Sequence, residues 1–294
     1  MSRLEGWWLE AIKGERRPLL RLLSWGYGAG VALRNWAYDA HLLKTHPSPL
    51  PTISVGNILI GGSGKTPLVR YIAQHLPGKV AILTRGYRSR AEKRRRPTLV
   101  RPTDSWEEVG DEPLMLARSL PNALVIVCAD RVRGAAFAKE LGAERLILDD
   151  GFQHRRLSRD LDLVCAPPPE ARYLFPRGPL REPRSSLKRA DQVVELTLTA
   201  SVAGQEIRGK RVALYCGIAR PERFFNTVRD LGAEIVATLS LPDHTAPTLK
   251  QIQTLRNTAP DLLLCTEKDW VKGEWADTYL HLEVTPLTTL DLSL

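Results

Sequence analysis

The sequence predicts an α/β fold built on a mostly parallel sheet with helices on both faces. Apolar runs of strand length alternate with helical stretches along most of the chain, and uninterrupted apolar strands are typical of buried parallel sheets. One of these strands leads through a glycine-rich turn into a helix, as strands do at phosphate-binding sites. With 294 residues, 43% of them hydrophobic, the chain is long enough for one large or two ordinary domains.

The predicted elements follow in chain order. Residues 1–46 are expected to form one or two helices rich in Leu, Trp and Arg, and a proline-rich break follows at residues 46–51. Strands are then predicted at residues 52–56, 79–84, 123–128, 145–149 and 161–165, and helices at residues 65–76, 112–120 and 131–141. Residues 166–190 are rich in Pro and Arg, which predicts a long ordered loop.

A second alternating series begins near residue 198. Its predicted strands are residues 211–216, 234–239, 262–265 and 279–282, and its predicted helices are residues 222–231 and 248–257. We therefore expect N-terminal helices over residues 1–46, a parallel-sheet domain over residues 47–198 and a second, smaller α/β domain over residues 199–294.

The charge balance and the cysteines limit the expected binding partners and cellular compartment of the chain. The 42 Lys and Arg against 33 Asp and Glu give a net charge of +9, which favours polyanions, an anionic membrane surface or a phosphorylated substrate. Nucleic acid is not expected, because no RNA- or DNA-binding module accompanies the charge. The four cysteines end separate apolar runs, which predicts reduced, buried strand cysteines in a cytoplasmic protein. The longest uncharged stretch near the N-terminus, residues 22–33, is too short to span a bilayer.

The sharpest local signal is TISVGNILIGGSGKTP, residues 52–67. An apolar strand runs into a glycine-rich turn that opens a helix, which is the layout of a P-loop and predicts a P-loop NTPase-like domain. Backbone N–H groups would hold phosphate oxygens, Lys65 would reach the β- and γ-phosphates of ATP, and the Thr66 hydroxyl would ligate Mg²⁺. Leu59 stands where the usual motif has its first glycine. The residues expected at the nucleotide are Gly61, Gly62, Ser63, Gly64, Lys65, Thr66 and Pro67.

The second signal is LILDDGFQH, residues 146–154. Asp149 and Asp150 stand at the C-terminal end of an apolar strand, where a P-loop protein needs acids to hold Mg²⁺ or its water shell. An Asp-Asp pair alone is often a solvated turn, and its position downstream of a P-loop favours the metal interpretation.

With these two motifs, the chain resembles the tetraacyldisaccharide 4'-kinase family, which phosphorylates the lipid A precursor. Eight motifs follow the family's order between about residues 20 and 272: VGNILIGGSGKTP, TRGYRS, GDEP, ADRVRGA, DDGFQH, GPLREP, PDH and TEKD. The resemblance implies an ATP- and Mg²⁺-dependent transfer to the 4'-hydroxyl of a tetraacylated glucosamine disaccharide 1-phosphate, with residues 199–294 closing the acceptor cleft. It also implies a peripheral or monotopic protein at the cytoplasmic face of the inner membrane, with no obligate protein partner evident.

The resemblance also assigns residue roles. It implies Asp111 as the base for the sugar hydroxyl and His244 as its hydrogen-bond partner, beside Lys65 and Asp150 as catalytic residues. The implied metal residues are Thr66, Asp149 and Glu182, and the implied substrate-binding residues are Tyr87, Arg131 and Arg181. Asp111 is equally placed to cap the following helix, and the two roles are compatible. After His244, Thr245 and Pro247 stand where the family usually has a second histidine and then a tyrosine.

The N-terminal segment concentrates aromatic residues beside cations. It carries four of the seven tryptophans, together with two tyrosines, three arginines and a lysine: Trp7, Trp8, Trp25, Trp36, Tyr27, Tyr38, Arg16, Arg17, Arg21 and Lys13. This pattern is typical of a helix lying in the membrane interface, and the cations suit an anionic leaflet. A helix packed into the core would have a similar apolar content, so both interpretations stay open.

Two other P-loop functions are weighed against the kinase. A GTPase or metallochaperone would carry the base-reading motif [NT]-K-x-D, and in Thr266-Glu267-Lys268-Asp269 the lysine comes one place late. A nucleic-acid-dependent ATPase would account for the charge, yet the aromatic residues cluster at the N-terminus rather than along a basic groove. The sequence therefore favours the kinase.

Overall fold

The computed structural model describes residues 17–61 and 64–293. The predictions made for Trp7, Trp8, Lys13, Arg16, Gly62 and Ser63 lie outside the described residues. This part of the chain divides into two compact units. The larger contains the described residues up to 197 together with residues 284–293, and the smaller contains residues 198–283.

The larger unit consists of a seven-stranded sheet with helices packed against it. Its strands are β1 (Thr52–Gly56), β2 (Val80–Thr84), β3 (Thr98–Leu99), β4 (Leu124–Val127), β5 (Arg145–Asp149), β6 (Leu161–Cys165) and β7 (Gln192–Val194). Its helices are α1 (Arg17–Asp39), α2 (Lys65–His75), α3 (Arg90–Arg94), α4 (Trp106–Val109), α5 (Asp111–Ser119) and α6 (Arg131–Glu140). The proline- and arginine-rich segment 166–190 is largely irregular and includes a short 3₁₀ helix at Arg184–Arg189.

The sheet places the two main motifs on neighbouring strands. Its strand order is β3-β4-β2-β5-β1-β6-β7. Strand β1 pairs in parallel with both β5 and β6, and Val55 lies opposite Asp149. Every residue of β1, β2 and β6 is buried, as the uninterrupted apolar runs predict. The predicted α/β class with a mostly parallel sheet is confirmed, and the P-loop and the Asp-Asp pair follow the same edge of the sheet.

The smaller unit has its own five-stranded sheet, in the order β10-β9-β11-β12-β8. The strands are β8 (Leu196–Val202), β9 (Arg211–Cys216), β10 (Glu234–Ser240), β11 (Leu262–Thr266) and β12 (Thr278–Pro286), and the helices are α7 (Pro221–Asp230), α8 (Leu249–Arg256) and α9 (Glu267–Trp270). Strand β9 pairs in parallel with β10 and β11, and β11 pairs in parallel with β12. Apolar side chains of β9 and β11 form the centre of its core.

Two further features are the state of the cysteines and the apolar character of the helices. All four cysteines are free and buried, as predicted. Three of them lie in strands, and Cys128 lies one residue after the end of β4. Among the described residues, no helix combines the length and apolar character that crossing a membrane requires.

A close contact holds the end of β1 against the start of the second motif. A Cβ atom at Gly56 would lie 2.4 Å from the Cβ of Phe152, and Phe152 is fully buried. The backbone also joins here, because the N–H of Gly151 donates to the carbonyl of Val55 at 3.0 Å. Glycine at position 56 is therefore required by the approach of the two segments.

We expect Gly56→Ala to lower the free energy of unfolding by about 1 to 3 kcal/mol, because the added methyl overpacks a fully buried contact. Chemical denaturation of the purified variant measures the change. Gly26→Ala is the matched control: it lies on the exposed face of α1 with nothing within 4 Å of the added Cβ, so it should be neutral or stabilising. Equal effects of the two substitutions would contradict the packing argument.

Candidate active site

The loop after β1 is pinned by the GPLREP segment, residues 178–183. The N–H of Arg181 donates to the carbonyl of Ile58 at 2.7 Å, and the N–H of Ile60 donates to the carbonyl of Pro179 at 2.8 Å. Gly61 has a φ of 96° and Gly64, the residue before α2, has a φ of 82°. Such left-handed conformations favour glycine. The loop thus delivers Lys65, Thr66 and Pro67 as the first turn of α2, as the sequence predicts.

Asp150 lies between two cations. The Lys65 Nζ atom is 3.2 Å from its Oδ1 atom, and the Arg181 Nη1 atom is 2.9 Å from its Oδ2 atom. The backbone of Asp150 has a φ of 54°, which turns the chain directly after β5. The structure therefore brings together the P-loop lysine, the second aspartate and an arginine of the GPLREP segment.

The two adjacent aspartates have opposite electrostatic surroundings. Burial raises the pKa of Asp149, and the nearby carboxylates of Glu112 and Asp150 add to this, so that its pKa reaches about 6. Burial also raises the pKa of Asp150, but Lys65 and Arg181 overcome that effect and hold it at about 2. Asp150 is thus ionised at neutral pH, whereas the ionised form of Asp149 would be stabilised by a nearby cation.

Sequence reasoning missed two members of this cluster. Glu112 is close enough to raise the pKa of Asp149, and Thr84, at the end of β2, hydrogen-bonds to the Asp149 side chain. Glu112 directly follows Asp111 in the GDEP motif, so its proximity to that residue could have drawn attention to it. His154, the last residue of DDGFQH, is also nearby: burial, with the charge of Arg131, lowers its pKa to about 4, which leaves the imidazole neutral at pH 7.

The Glu182 carboxylate is held through one of its two oxygens. Its Oε2 atom accepts from the Arg189 Nη2 atom at 2.5 Å and from the Asn35 Nδ2 atom at 3.0 Å. Among the described residues, no group of three or more His, Cys, Asp and Glu side chains is arranged to share a metal ion. The structure therefore does not gather Glu182 with Asp149 and Asp150 into a three-carboxylate site.

The predicted substrate residues differ in accessibility. Tyr87 is exposed, and the guanidinium of Arg88 lies 5.2 Å from its ring centre. Arg131 is buried and donates to the carbonyls of Cys128 and Asp149, so its guanidinium braces the backbone at the ends of β4 and β5. Arg181 is partly exposed and paired with Asp150.

Asp111 begins α5 and is buried. Gly110, with a φ of 98°, is the N-cap residue, so the prediction of Asp111 as the N-cap is wrong by one position. The reason is conformational, since glycine tolerates the positive φ at the start of this helix. The Asp111 Oδ1 atom accepts from the N–H of Glu112 at 2.9 Å.

His244 lies in the smaller unit, on a loop that a buried ion pair holds. Its φ is 62°, and its Nε2 atom is 3.5 Å from an Asp243 carboxylate oxygen. Lys272 Nζ is 2.7 Å from the Asp269 Oδ1 atom, both side chains being almost fully buried. Lys272 also donates to the carbonyl of Thr245 at 3.3 Å, and Asp269 accepts from the N–H of Gly217 at 3.0 Å. The TEKD motif thus anchors the loop that carries His244.

Comparison with known proteins identifies the family. A model of the tetraacyldisaccharide-1-P 4'-kinase family matches residues 16–206 and 195–290. The chain belongs to this family. It is 38% identical over 319 residues to the tetraacyldisaccharide 4'-kinase of Anaeromyxobacter sp. (strain Fw109-5), covering 90% of this chain and 86% of the relative. It is also 38% identical to that of Koribacter versatilis (strain Ellin345), covering 92% of each.

The fold is also shared with a solved structure. LpxK from Aquifex aeolicus, crystallised in complex with ATP, matches with a TM-score of 0.75 at 30% identity, over 92% of this chain and 95% of that one. The predicted family, the α/β fold and the assignment as a kinase enzyme of lipid A biosynthesis are confirmed. The comparisons do not favour the alternative of another P-loop ATPase or GTPase.

The opposite pKa shifts of the two aspartates predict opposite effects of neutralisation in the absence of ATP and Mg²⁺. The folded-state pKa of Asp149, about 6, lies above its ordinary value of 3.8. This carboxylate therefore costs stability progressively from pH 4 to 6 and fully above that range. We expect Asp149→Asn to raise the free energy of unfolding at pH 7.5 by about 2 to 3 kcal/mol, with the difference vanishing near pH 4.

Asp150→Asn is the matched variant. The folded-state pKa of Asp150, about 2, lies below its ordinary value of 3.8, so this carboxylate contributes stability above pH 4 that is lost as the pH falls through 2. The substitution should cost about 1 kcal/mol at pH 7.5, a modest figure because the side chain is partly exposed, and asparagine tolerates the positive φ. Urea titrations of both variants from pH 4 to 8 check the signs. Destabilisation by Asp149→Asn at pH 7.5 would refute this electrostatic description.

Proposed function

We propose that the chain transfers the γ-phosphoryl group of ATP to the 4'-hydroxyl of a tetraacylated glucosamine disaccharide 1-phosphate, at the cytoplasmic face of the inner membrane. One observation carries the proposal: the P-loop follows β1, the acidic pair follows the neighbouring β5, and Lys65 contacts Asp150. Phosphoryl transfer depends on cations and oriented N–H groups around the phosphates, with acids beside them to hold Mg²⁺. The family membership and the ATP complex of the Aquifex aeolicus relative support the same reaction.

On the nucleotide side, the start of α2 would hold the phosphates. Backbone N–H groups of the P-loop and the charge of Lys65 suit phosphate oxygens. Asp150 keeps Lys65 and Arg181 side by side before the nucleotide binds, so two cations are already oriented where negative charge arrives. Such preorganisation lowers the cost of stabilising the charge of the transition state.

The residues present also fit a Mg²⁺ ion. Asp149 is buried beside Glu112 and Asp150, and its pKa is raised to about 6. A bound divalent cation would offset the unfavourable energy of this buried negative charge. Asp149 and the Thr66 hydroxyl would hold the ion, with ATP oxygens and water as the remaining ligands. When bound, Mg²⁺ neutralises negative charge on the phosphates. Arg189 and Asn35 hold only the Oε2 atom of Glu182. Its Oε1 atom is buried without a hydrogen-bond partner among the described residues and would face the water shell of the metal.

On the acceptor side, Asp111 would accept the proton of the 4'-hydroxyl while the sugar oxygen forms its bond to the γ-phosphorus. The bond from that phosphorus to the bridging oxygen of ADP breaks in the same step. His244 would orient the base or tune its proton affinity. Tyr87 and Arg181 would contact the substrate. Arg131 would act on the substrate indirectly, by holding the backbone at the ends of β4 and β5 in place.

Helix α1 supports the membrane location. Its inner face is held by polar contacts: Ser24 and Tyr27 donate to the carbonyls of Leu174 and Arg181, and Asn35 donates to Glu182, each at 3.0 Å. Its outer face carries large exposed apolar side chains: Leu19, Leu22, Leu23, Trp25, Leu33 and Trp36. An exposed apolar face with Arg21 and Arg34 at its margins is typical of a helix in the bilayer interface.

We expect the purified chain to phosphorylate a tetraacylated disaccharide 1-phosphate in detergent when ATP and Mg²⁺ are present. Lys65→Ala should lower the rate by at least about 100-fold, because a positioned charge on the transferred group is lost. Thin-layer separation of the labelled glycolipid measures the transfer, and circular dichroism checks the fold. Near wild-type transfer by a folded Lys65→Ala variant would refute the P-loop assignment.

Asp111→Asn should lower kcat on the order of 10²- to 10⁴-fold, which is the contribution of a general base, with a smaller effect on ATP affinity. His244→Ala should lower kcat as well. If the two residues act as one unit, the double variant should lose less than the product of the single effects. Steady-state kinetics with both substrates varied decide the point, and a collapse of ATP affinity with an unchanged kcat would place Asp111 at the nucleotide instead.

The outer face of α1 should determine vesicle binding without holding the fold. Leu22 and Leu33 are 64% and 63% exposed, so Leu22→Gln/Leu33→Gln should weaken partitioning to vesicles about tenfold or more while leaving the unfolding midpoint nearly unchanged. Leu249→Gln/Leu287→Gln replaces two equally exposed leucines elsewhere, at 73% and 61%, and serves as the control. Equal loss of binding in both double variants would contradict the role of α1.

A further inference from the structure

A pair of adjoining cavities lies between α1 and the proline- and arginine-rich segment 166–190. Their volumes are about 460 and 500 Å³, and both are lined by Arg21, Trp25 and Arg177. The first cavity is also lined by Arg172, Tyr173 and Arg184. We refer to these six residues as the arginine pocket. None of them belongs to the cluster of Lys65, Asp150 and Arg181.

The four arginines of the pocket form no ion pair with a carboxylate within the described part of the chain. The guanidinium of Arg177 lies 3.7 Å from the ring centre of Tyr173, and that of Arg21 lies 5.1 Å from a ring centre of Trp25. Arg184 donates to the carbonyls of Pro168 and Ala171 at 3.0 and 3.1 Å. Aromatic rings and carbonyls thus orient the guanidinium groups and leave a concentrated positive charge for an anion.

Exposed leucines beside the pocket favour an anion that carries an apolar chain. The second cavity is also lined by Leu22, which belongs to the exposed apolar face of α1 together with Leu19 and Leu23. A ligand that places an anionic group among the arginines can therefore lay an apolar chain on the leucines beside them. A phosphodiester with attached acyl chains has this construction, and arginine forks bind phosphate oxygens in pairs.

We propose that the arginine pocket is a binding site for the headgroup of an anionic phospholipid. It rests on the proposed membrane location of α1 and adds to it a defined lipid contact, separate from the nucleotide cluster. Residues 180–183 lie between the two sites: Leu180 and Pro183 line the pocket, whereas the Arg181 side chain turns to Asp150. A bound headgroup would fix the height of α1 in the bilayer and hence the depth of the neighbouring active-site loop.

Vesicle binding of the full chain tests the proposal. Arg172→Gln/Arg177→Gln should weaken binding to vesicles of phosphatidylglycerol in phosphatidylcholine by about tenfold or more, and should leave binding to pure phosphatidylcholine unchanged. The matched control is Lys139→Gln/Arg223→Gln, which removes the same charge from two exposed residues outside the pocket. An equal loss in the control would show diffuse attraction to the surface and overturn the proposal, as would no loss in the pocket variant.

A second measurement separates the pocket from the proposed membrane location. Dihexanoyl phosphatidylglycerol below its micelle concentration is a soluble monomer, so calorimetry with it tests the pocket even if the chain does not partition to vesicles. We expect saturable binding that Arg172→Glu abolishes, with a fold that circular dichroism shows to be unchanged. Absence of saturable binding, or equally tight binding of inorganic phosphate, would overturn the assignment to a phospholipid. Failure of vesicle partitioning alone would count against the role of α1 and leave this result standing.

Discussion

The parallel pairing of β1 with β5 is the constraint on which the candidate site depends. Because Val55 lies opposite Asp149, the P-loop and the acidic pair leave the sheet at the same edge. The contact of Gly56 with Phe152 and the hydrogen bond from Gly151 to Val55 then fix the distance between the two segments. A one-residue slip in this pairing would turn the alternate side chains of β1 to the opposite face and would separate Lys65 from Asp150. The chemistry of the site thus begins with backbone geometry in a fully buried strand.

The same arrangement places the adjacent carboxylates of Asp149 and Asp150 in opposite electrostatic surroundings. Asp150 turns toward Lys65 and Arg181 and stays ionised, whereas Asp149 stays buried near other acids with a pKa of about 6. In the proposed reaction, Asp150 would orient the cations that meet the phosphates, and Asp149 would favour a metal ion. Two neighbours in the sequence therefore acquire separate roles, because the positive φ of Asp150 sends their side chains into different surroundings.

The sequence alone predicts the main strands of this protein well, but it predicts the side-chain contacts of the charged site residues poorly. Strands β1, β5, β6 and β9 have the bounds that their apolar runs predict, since four or five buried residues in each strand leave little freedom. The short strand β3 and the three-residue β7 escape prediction, because two or three residues carry no periodicity. The contact of Glu182 with Asn35 joins distant parts of the chain, so no local pattern predicts it. Glu112 was missed because its neighbour Asp111 accounted for the motif.

Helix α1 shows the reverse of the usual amphipathic arrangement. In most surface helices the apolar face meets the core. Here Ser24, Tyr27 and Asn35 make inward hydrogen bonds beside the buried Leu20, whereas most of the other leucines of the helix are exposed. Hydrogen bonds to Leu174, Arg181 and Glu182 anchor the helix to the segment that pins the P-loop. A force that sets the depth of α1 in a bilayer would therefore act on the same residues that position Arg181 against Asp150. Because the helix and the loop share these contacts, the proposed membrane docking would be physically coupled to the geometry of the proposed phosphate site.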